Sequence, residues 1–286
     1  MRRSLLFMPG NNPAMLQNSD IFDADAVIYD LEDAVSVTEK DSARRLVSEF
    51  LNNRKTNFPM EIVVRINGLD TDFYKDDLSV IVSDKIDTIM LPKASYETLI
   101  ELDNILTKIE SQKSLTKKIG VIPIIELARS VLEIDKIANA PRVNGILLGA
   151  EDLSSDLEVT RTKKGDEILY ARQRVVMACS AYKIDSIDTP FTDTNDEEGL
   201  LNDCRLVLGL GFTSKSAIHP NQVGTINSTF VPTLDKIKWA LRVEQANEQA
   251  LQKGLGVFSL DGKMVDKPVI ERAKKILIKA KRYNLI

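Results

Sequence analysis

Acidic side chains directly follow three of the short apolar runs in this sequence. Asp30, Glu32 and Asp33 stand at the end of the first of these runs, Glu126 ends the second, and Asp152 follows the third. Carboxylate oxygens without histidine or thiolate neighbours are the ligands that Mg²⁺ or Mn²⁺ prefers, whereas zinc favours nitrogen and sulfur. Because buried charges are costly unless they are paired or bound, the pattern predicts a hard divalent cation among these carboxylates.

Two basic residues also lie within or directly after apolar runs. Arg65 interrupts the apolar run 63–66, and Lys93 follows a Leu-Pro pair at the end of another run. Each could hold an anionic group of a substrate, and the guanidinium of Arg65 could do so through two parallel hydrogen bonds. The alternatives are structural: Glu126 could form a salt bridge with either cation, and Asp152 could cap a helix.

The composition excludes several other kinds of site. His219 is the single histidine among 286 residues, and the two cysteines are Cys179 and Cys204. A multi-histidine metal site, a cysteine zinc site and a disulfide framework are therefore excluded. The formal charge of −4 argues against nucleic acid as the main partner. No apolar stretch approaches the roughly 20 residues of a membrane span, and we expect a cytoplasmic protein.

Eight short apolar or β-branched runs supply the strands that must position these side chains. They recur roughly every 30 residues, and most are continuously apolar, which is typical of parallel strands buried on both faces. Apolar residues at helical spacing fill most of the intervals. The predicted strands are 4–8, 25–30, 61–66, 87–91, 120–125, 144–148, 183–187 and 213–218. The predicted helices between them are 38–51, 70–82, 95–110, 130–138 and 157–181.

This alternation favours an α/β fold, a (β/α)₈ TIM barrel, over an open doubly wound sheet. In such a barrel the C-terminal strand ends meet at one face, which would bring the acids and cations together. We assign the barrel to residues 1–230 and a C-terminal helical extension to residues 231–286. The extension should hold a helix at 232–253, an irregular segment at 254–267 and a last helix ending near 283. We expect it to pack on a neighbouring subunit.

Eight stretches spread over the whole length resemble the citrate lyase β-subunit family, within the wider group of citrate lyases, malyl-CoA lyases and HpcH/HpaI-type aldolases. They are RRSLLFMPGNN (2–12), DAVIYDLEDAV (25–35), KDSARRLV (40–47), VVRING (63–68), LPKA (91–94), IELARS (125–130), GAEDLSSDL (149–157) and SLDGKMVDKPVIERA (259–273). The resemblance implies a TIM barrel and a carbon–carbon lyase that depends on Mg²⁺, with Mn²⁺ as a substitute.

The resemblance also implies roles for individual residues. Glu126 and Asp152 fall at the positions of the family's two metal carboxylates, and Arg65 at that of the arginine that holds a substrate carboxylate. Asp266 falls where malyl-CoA-lyase-like relatives place an acid from a neighbouring subunit, although it could instead N-cap the last helix. Arg65, Glu126 and Asp266 are therefore predicted to be catalytic. The predicted substrate-binding residues are Arg65, Glu126, Asp30, Glu32, Asp33 and Lys93, and either Asp266 or an acid of the segment 30–33 could move protons.

The implied reaction is cleavage of a (3S)-citryl thioester, carried by an acyl carrier protein or by CoA, to an acetyl thioester and oxaloacetate. The implied partners are the α acyltransferase and γ acyl carrier subunits of citrate lyase, and the implied assembly is a homo-oligomer of three or a multiple of three. The alternatives are a stand-alone citramalyl-CoA or malyl-CoA lyase, a catalytically silent assembly subunit and, more remotely, an aldolase acting on free 2-keto acids.

Overall fold

The computed structural model describes residues 2–53, 58–252 and 254–286, which form two compact units. The first unit ends at Asn227, and the second spans Ser228–Ile286. Within the described residues, no helix is long and apolar enough to cross a membrane.

Eight parallel strands close into a barrel in the first unit. Each strand pairs with the next along the chain, and the last pairs with the first. The predicted (β/α)₈ barrel is therefore confirmed, and each predicted strand overlaps an observed one. The strands are β1 (Ser4–Pro9), β2 (Ala26–Asp30), β3 (Glu61–Arg65), β4 (Thr88–Leu91), β5 (Gly120–Ile125), β6 (Gly145–Leu148), β7 (Asp185–Asp188) and β8 (Ser214–Ala217).

Helices fill the intervals between the strands. The α-helices of this part of the chain are α1 (Pro13–Gln17), α2 (Lys40–Asn53), α3 (Phe73–Ile81), α4 (Tyr96–Gln112), α5 (Ala128–Leu132), α6 (Ile134–Ala138), α7 (Ala150–Asp156), α8 (Leu169–Tyr182), α9 (Glu197–Leu210) and α10 (Asn221–Phe230). Short 3₁₀ helices lie at Ser19–Phe22, Val37–Glu39 and Asp166–Ile168.

Two of the predicted helices differ from the observed ones. The prediction 130–138 corresponds to two short helices, α5 and α6, separated at Glu133. The prediction 157–181 begins too early, because α7 ends at Asp156 and α8 starts at Leu169. Gly165 adopts a left-handed φ of 73° between them, and the Thr-rich stretch before it disfavours helix.

The strand alternation decides which side chains reach the barrel interior. One contiguous apolar cluster consists of Leu5, Ala26, Ile28, Val63, Met90, Ile122, Ile124, Leu147 and Ile187, which follow the two-residue period of a strand. One further step along that period, toward the C-terminal strand ends, reaches Phe7, Asp30, Arg65, Glu126 and Gly149. The barrel interior therefore changes from apolar to charged at the end where catalytic groups sit in this fold.

A buried charge cluster joins the last two strands to the helices outside them. Lys215 Nζ lies 2.6 Å from an oxygen of Asp188 and 2.6 Å from an oxygen of Asp203. Arg172 donates to both of these carboxylates at 2.9–3.0 Å. Lys215 also donates to the carbonyl of Thr189 at 2.7 Å. The four charges pair with one another, which allows them to be buried between β7, β8, α8 and α9.

The second unit is built on two packed helices and a hairpin. These are α11 (Leu234–Gln252), β9 (Phe258–Leu260), β10 (Lys263–Val265) and α12 (Lys267–Arg282). The segment predicted to be irregular thus contains an antiparallel hairpin. The predicted end of the first tail helix, residue 253, lies outside the described residues. The core of this unit consists of Ile237, Ala240, Val243, Val265, Ala273, Leu277 and Ala280.

Candidate active site

A cavity of about 400 Å³ opens at the C-terminal ends of the strands in the first unit. This volume is in the range of small-molecule sites. One side of its wall is charged and the other is apolar. The lining residues are Phe7, Met8, Pro9, Asp30, Asp33, Ala34, Arg65, Pro190 and Ile218.

Arg65 is fixed in this wall by Asp30. The two residues are register partners on β3 and β2, and Arg65 donates from Nε and Nη2 to the two carboxylate oxygens at 2.7 and 2.6 Å. Asp30 also accepts the backbone N–H groups of Glu32 and Ala34. Burial lowers the pKa of Arg65, but the hydrogen bonds and charge of Asp30 outweigh it, so the pKa is raised. Arg65 is therefore a permanent, oriented cation.

The remaining nitrogen of this guanidinium, Nη1, faces the other two acids of the β2 end. Nη1 lies 2.9 Å from Oε2 of Glu32 and 3.6 Å from Oδ2 of Asp33. The guanidinium carbon also lies 5.1 Å from the ring centre of Phe7, close enough for a cation–π contact. Both acids and Arg65 thus meet at one point, as the sequence predicts.

The loop that carries these acids is held in place by Lys40 and Asn67, of which Asn67 lies at a strand end like the predicted site residues. Lys40 Nζ donates to the carbonyls of Leu31 and Glu32 at 2.8 and 2.6 Å. Asn67 Nδ2 donates to the carbonyl of Leu31 and to Asp77, which Arg44 also contacts. Three of these residues, Lys40, Arg44 and Asn67, lie in the stretches 40–47 and 63–68 that carry the family resemblance.

Glu126 follows β5 and is held by the backbone of Lys93. The N–H of Lys93 donates to Oε1 of Glu126 at 2.5 Å, and Lys93 adopts a left-handed φ of 47°. Gly149 leaves the room that this carboxylate needs, since a Cβ there would lie 2.8 Å from Oε2 of Glu126. Glu126 is 3% exposed, so its orientation is set by its neighbours.

The ammonium group of Lys93 is less tightly bound. Its side chain is half exposed, and Nζ lies 3.6 Å from Oδ2 of Asp70. The charge of Asp70 is the main cause of a raised pKa for Lys93, to which Glu32 and Glu126 contribute. The ammonium group of Lys93 is therefore influenced by the charges of two predicted site acids, Glu32 and Glu126.

Asp152 lies in the first turn of α7 and is exposed. It is not the helix cap, because Gly149 occupies that position. The first N–H of the helix, on Ala150, points to Oγ1 of Thr189 at 3.4 Å, and Thr189 is itself held by Lys215. In the described part of the chain, Asp152 forms no hydrogen bond or ion pair.

The charges of the site decide whether it fits a divalent cation. Burial, together with the charges of Asp152 and Asp33, raises the pKa of Glu126 to about 7, although the hydrogen bond from the Lys93 N–H and the charge of Arg65 lower it. Burial likewise raises the pKa of Glu32 to about 8, with Arg65 opposing. No group of three or more His, Cys, Asp or Glu side chains among the described residues is arranged to hold a metal. The carboxylates of Glu126 and Asp152 nevertheless fit Mg²⁺, which usually takes one or two carboxylates and completes its shell with water and substrate oxygens.

Asp266 belongs to the second unit. It N-caps α12, where its Oδ1 accepts the N–H of Val269 at 3.3 Å. The structural alternative in the sequence analysis is therefore observed, and a catalytic role in a neighbouring subunit stays a prediction.

The chain was compared with known proteins. The family model described as HpcH/HpaI aldolase/citrate lyase matches residues 3–220. The citrate lyase subunit beta of Leuconostoc mesenteroides subsp. cremoris is 43% identical, over 100% of this chain and 95% of its own length. The mitochondrial citramalyl-CoA lyase of Rattus norvegicus is 30% identical, over 96% of this chain and 85% of its own length.

A solved structure resembles the whole chain. Protein CitE from Mycobacterium tuberculosis, in complex with magnesium, acetoacetate and coenzyme A, is 31% identical with a TM-score of 0.79. The match covers 97% of each chain. The chain therefore belongs to the HpcH/HpaI aldolase/citrate lyase family and is a carbon–carbon lyase.

Proposed function

We propose that this chain is the β subunit of a citrate lyase and cleaves a (3S)-citryl thioester to an acetyl thioester and oxaloacetate. The observation that carries the proposal is the oriented Arg65 beside crowded carboxylates in a cavity at the strand ends. The 43% identity to a citrate lyase subunit beta supports the same substrate.

Each proposed role follows from a contact. Asp30 holds Nε and Nη2 of Arg65, and Nη1, which lies beside Glu32 and Asp33, would also contact a carboxylate of the substrate. Glu126 and Asp152 would bind Mg²⁺, which supplies Lewis-acid polarisation of a substrate oxygen. Lys93 and Asp33 would add charge contacts at the rim, and Phe7 would keep water from one face of the guanidinium. Asp266 is proposed to act on the site of a neighbouring subunit.

The proposed assembly follows the same resemblance. The carrier of the thioester is proposed to be a γ acyl carrier subunit, with a CoA-like thiol, or free CoA. An α acyltransferase subunit would complete the complex, and the chain would form a trimer or a multiple of three in the cytoplasm. The family membership argues against the silent assembly subunit.

A stand-alone citramalyl-CoA lyase is the second candidate. Its support is the apolar half of the cavity wall, where Phe7, Pro190 and Ile218 would suit a methyl group on the substrate's C3. The 30% identity to a citramalyl-CoA lyase agrees with it.

A product assay distinguishes the candidates. Purified protein with Mg²⁺ is given citryl-CoA, citramalyl-CoA and malyl-CoA side by side, and the keto acids are quantified. We expect oxaloacetate to form fastest. Faster formation of pyruvate would favour the citramalyl-CoA lyase, and faster glyoxylate a malyl-CoA lyase.

A further inference from the structure

Glu32 is a half-buried residue, and one oxygen of its carboxylate, Oε2, is buried without a hydrogen bond. Its side chain is 14% exposed, and Oε2 accepts no hydrogen bond from any residue that the structure describes. Oε2 does lie 2.9 Å from Nη1 of Arg65, but without hydrogen-bond geometry. A buried acceptor without a donor is destabilising, so a functional reason for this carboxylate is expected.

The other two acids of the same loop are differently placed. Asp30 accepts four hydrogen bonds, two from Arg65 and two from backbone N–H groups, and has no free position for a proton. Asp33 is 70% exposed, where water solvates its charge. Of the three acids, Glu32 combines burial in the site with an oxygen that is free to accept a proton.

The surroundings of Glu32 suit proton transfer near neutral pH. Burial raises its pKa to about 8, the charge of Arg65 opposes this, and neighbouring acids add to it. A general base works best when its pKa lies near the operating pH. The charged groups that face Glu32 are Asp30, Asp33, Lys40, Arg65, Lys93 and Glu126.

We propose that Glu32 is the general base that removes the proton from the substrate hydroxyl during carbon–carbon cleavage. The inference rests on the proposed function. Glu32 stands beside Arg65, which would hold a substrate carboxylate, and it lies within range of the charge of Glu126, which would face the neighbouring oxygen. In a 3-hydroxyacyl thioester such as citryl, the carbon that bears the hydroxyl also bears a carboxylate, so a base between these two residues lies next to the hydroxyl.

The proton and electron changes balance. The hydroxyl O–H bond breaks, its proton bonds to a carboxylate oxygen of Glu32, and the freed electron pair forms the C=O bond of the keto acid. The C–C bond breaks, and its electron pair stays on the α-carbon of the thioester as an enolate. The enolate takes a proton from water, and Glu32 returns its own proton to the resulting hydroxide.

Kinetics of Glu32→Gln and Glu32→Asp between pH 5.5 and 9 test the role. The substrate is whichever of the three thioesters the wild type cleaves fastest. We expect the wild-type kcat to rise with pH, and we expect Glu32→Gln to lower kcat by about 10²–10⁴-fold, with KM within threefold, and to lose that rise. Glu32→Asp should keep that rise at an intermediate kcat. Glu39→Gln is the matched control, since Glu39 is an exposed acid just before α2 that bonds Asn11 and Ser36, and its kcat should be unchanged.

Three outcomes would overturn the inference. They are a Glu32→Gln variant whose kcat stays within threefold of wild type, one that keeps the wild-type pH dependence, and one that changes KM alone. Calorimetric binding of oxaloacetate checks that Glu32→Gln is folded, and if it does not bind, loss of the pH dependence in Glu32→Asp would also count against the role. A wild type that cleaves none of the thioesters overturns the proposed function together with this inference.

Discussion

At the residue scale, the orientation of Glu126 depends on the absence of a side chain at Gly149. A Cβ on Gly149 would meet Cβ and Oε2 of Glu126, and Cγ2 of Ile124, each at 2.8 Å. Real Cβ atoms do not approach so closely, so one of these groups would have to move. Glu126, already held by the Lys93 N–H, cannot move without losing that hydrogen bond.

Gly149→Ala should therefore weaken Mg²⁺ binding by tenfold or more. It should also lower the free energy of unfolding by about 1–3 kcal/mol, because the added methyl overpacks the site. Isothermal titration calorimetry with Mg²⁺ and urea unfolding measure the two effects. Gly209→Ala is the control, since a Cβ at Gly209 meets no described atom within 4 Å, and it should bind Mg²⁺ like the wild type. Wild-type Mg²⁺ affinity in Gly149→Ala would contradict the proposed role of Glu126.

The charged residues of the site could themselves be found from the sequence. Asp30, Arg65 and Glu126 each end or interrupt an apolar run, and a charge in such a place needs a partner. The contacts that hold these side chains in place could not be found in that way. The contacts of Lys40 with Leu31 and Glu32 and of Asn67 with Asp77 depend on loop geometry that periodicity does not encode.

At the element scale, the last two strands depend on charge pairing as well as apolar packing. Lys215 is fully buried in β8, and its ammonium group is satisfied by Asp188, Asp203 and the Thr189 carbonyl. Removing Lys215 alone would leave the two buried carboxylates, Asp188 and Asp203, with a single cation, Arg172. This is usually worse than removing the whole cluster.

Lys215→Met should accordingly lower the free energy of unfolding by about 3–5 kcal/mol in urea titrations. Lys108→Met serves as the matched control: Lys108 is exposed on α4, and the described residues give it no ion pair, so its change should stay within about 0.5 kcal/mol. Equal stabilities of the two variants would show that the cluster does not hold β7 and β8 to the helices.

The loop between α7 and α8 has an acid-sensitive anchor. Glu167 accepts hydrogen bonds from the N–H and hydroxyl of Thr162 and from Arg161. Burial raises its pKa, but these hydrogen bonds outweigh burial and lower the pKa to about 2 from its usual 4.5. Since the folded-state pKa is the lower one, the stabilisation is complete above about pH 4.5 and is lost as pH falls toward 2.

Glu167→Gln should thus be less stable than the wild type at pH 7, and the difference should shrink at pH 3.5. Urea unfolding at both values measures it, with the exposed Glu248→Gln as the control that shows no such trend. A difference that is the same at both pH values would mean that the carboxylate charge does not anchor the loop.

The elements were predicted best where burial dictates the pattern. Short apolar or β-branched runs, most of them continuously apolar, indicated the eight strands. The predicted helix 95–110 corresponds to α4, which Ser95 caps in a reciprocal capping box with Thr98. The extent of α8 was wrong, because the chain from 157 to 168 is fixed by contacts such as those of Glu167 and by the left-handed Gly165. The hairpin in the second unit is too short for a clear alternation.

At the scale of the whole molecule, the chain is two units with separate cores. Arg65, Glu126 and Asp152 lie in the first unit, and Asp266 lies in the second. Which subunit would supply Asp266 to a given site therefore depends on how the chains assemble. We predict that the second unit packs on a neighbouring subunit.

Mixing two inactive variants tests it. Asp266→Ala and Glu126→Gln are co-expressed so that mixed oligomers form, and cleavage is compared with that of each variant alone. If Asp266 acts on a neighbour's site, the mixture should regain a measurable fraction of wild-type activity, because some sites combine an intact Glu126 with an intact Asp266. No regain, with mixed oligomers present, would place Asp266 outside such a shared site.

The most direct test of the proposed function is the initial rate of oxaloacetate release from (3S)-citryl-CoA, measured with saturating Mg²⁺ and again after chelation. The structure's oriented arginine and crowded carboxylates predict rapid release that falls to background without metal and returns when Mg²⁺ is restored. Absence of oxaloacetate with Mg²⁺ present, or an equal rate after chelation, would contradict a Mg²⁺-dependent citryl thioester lyase.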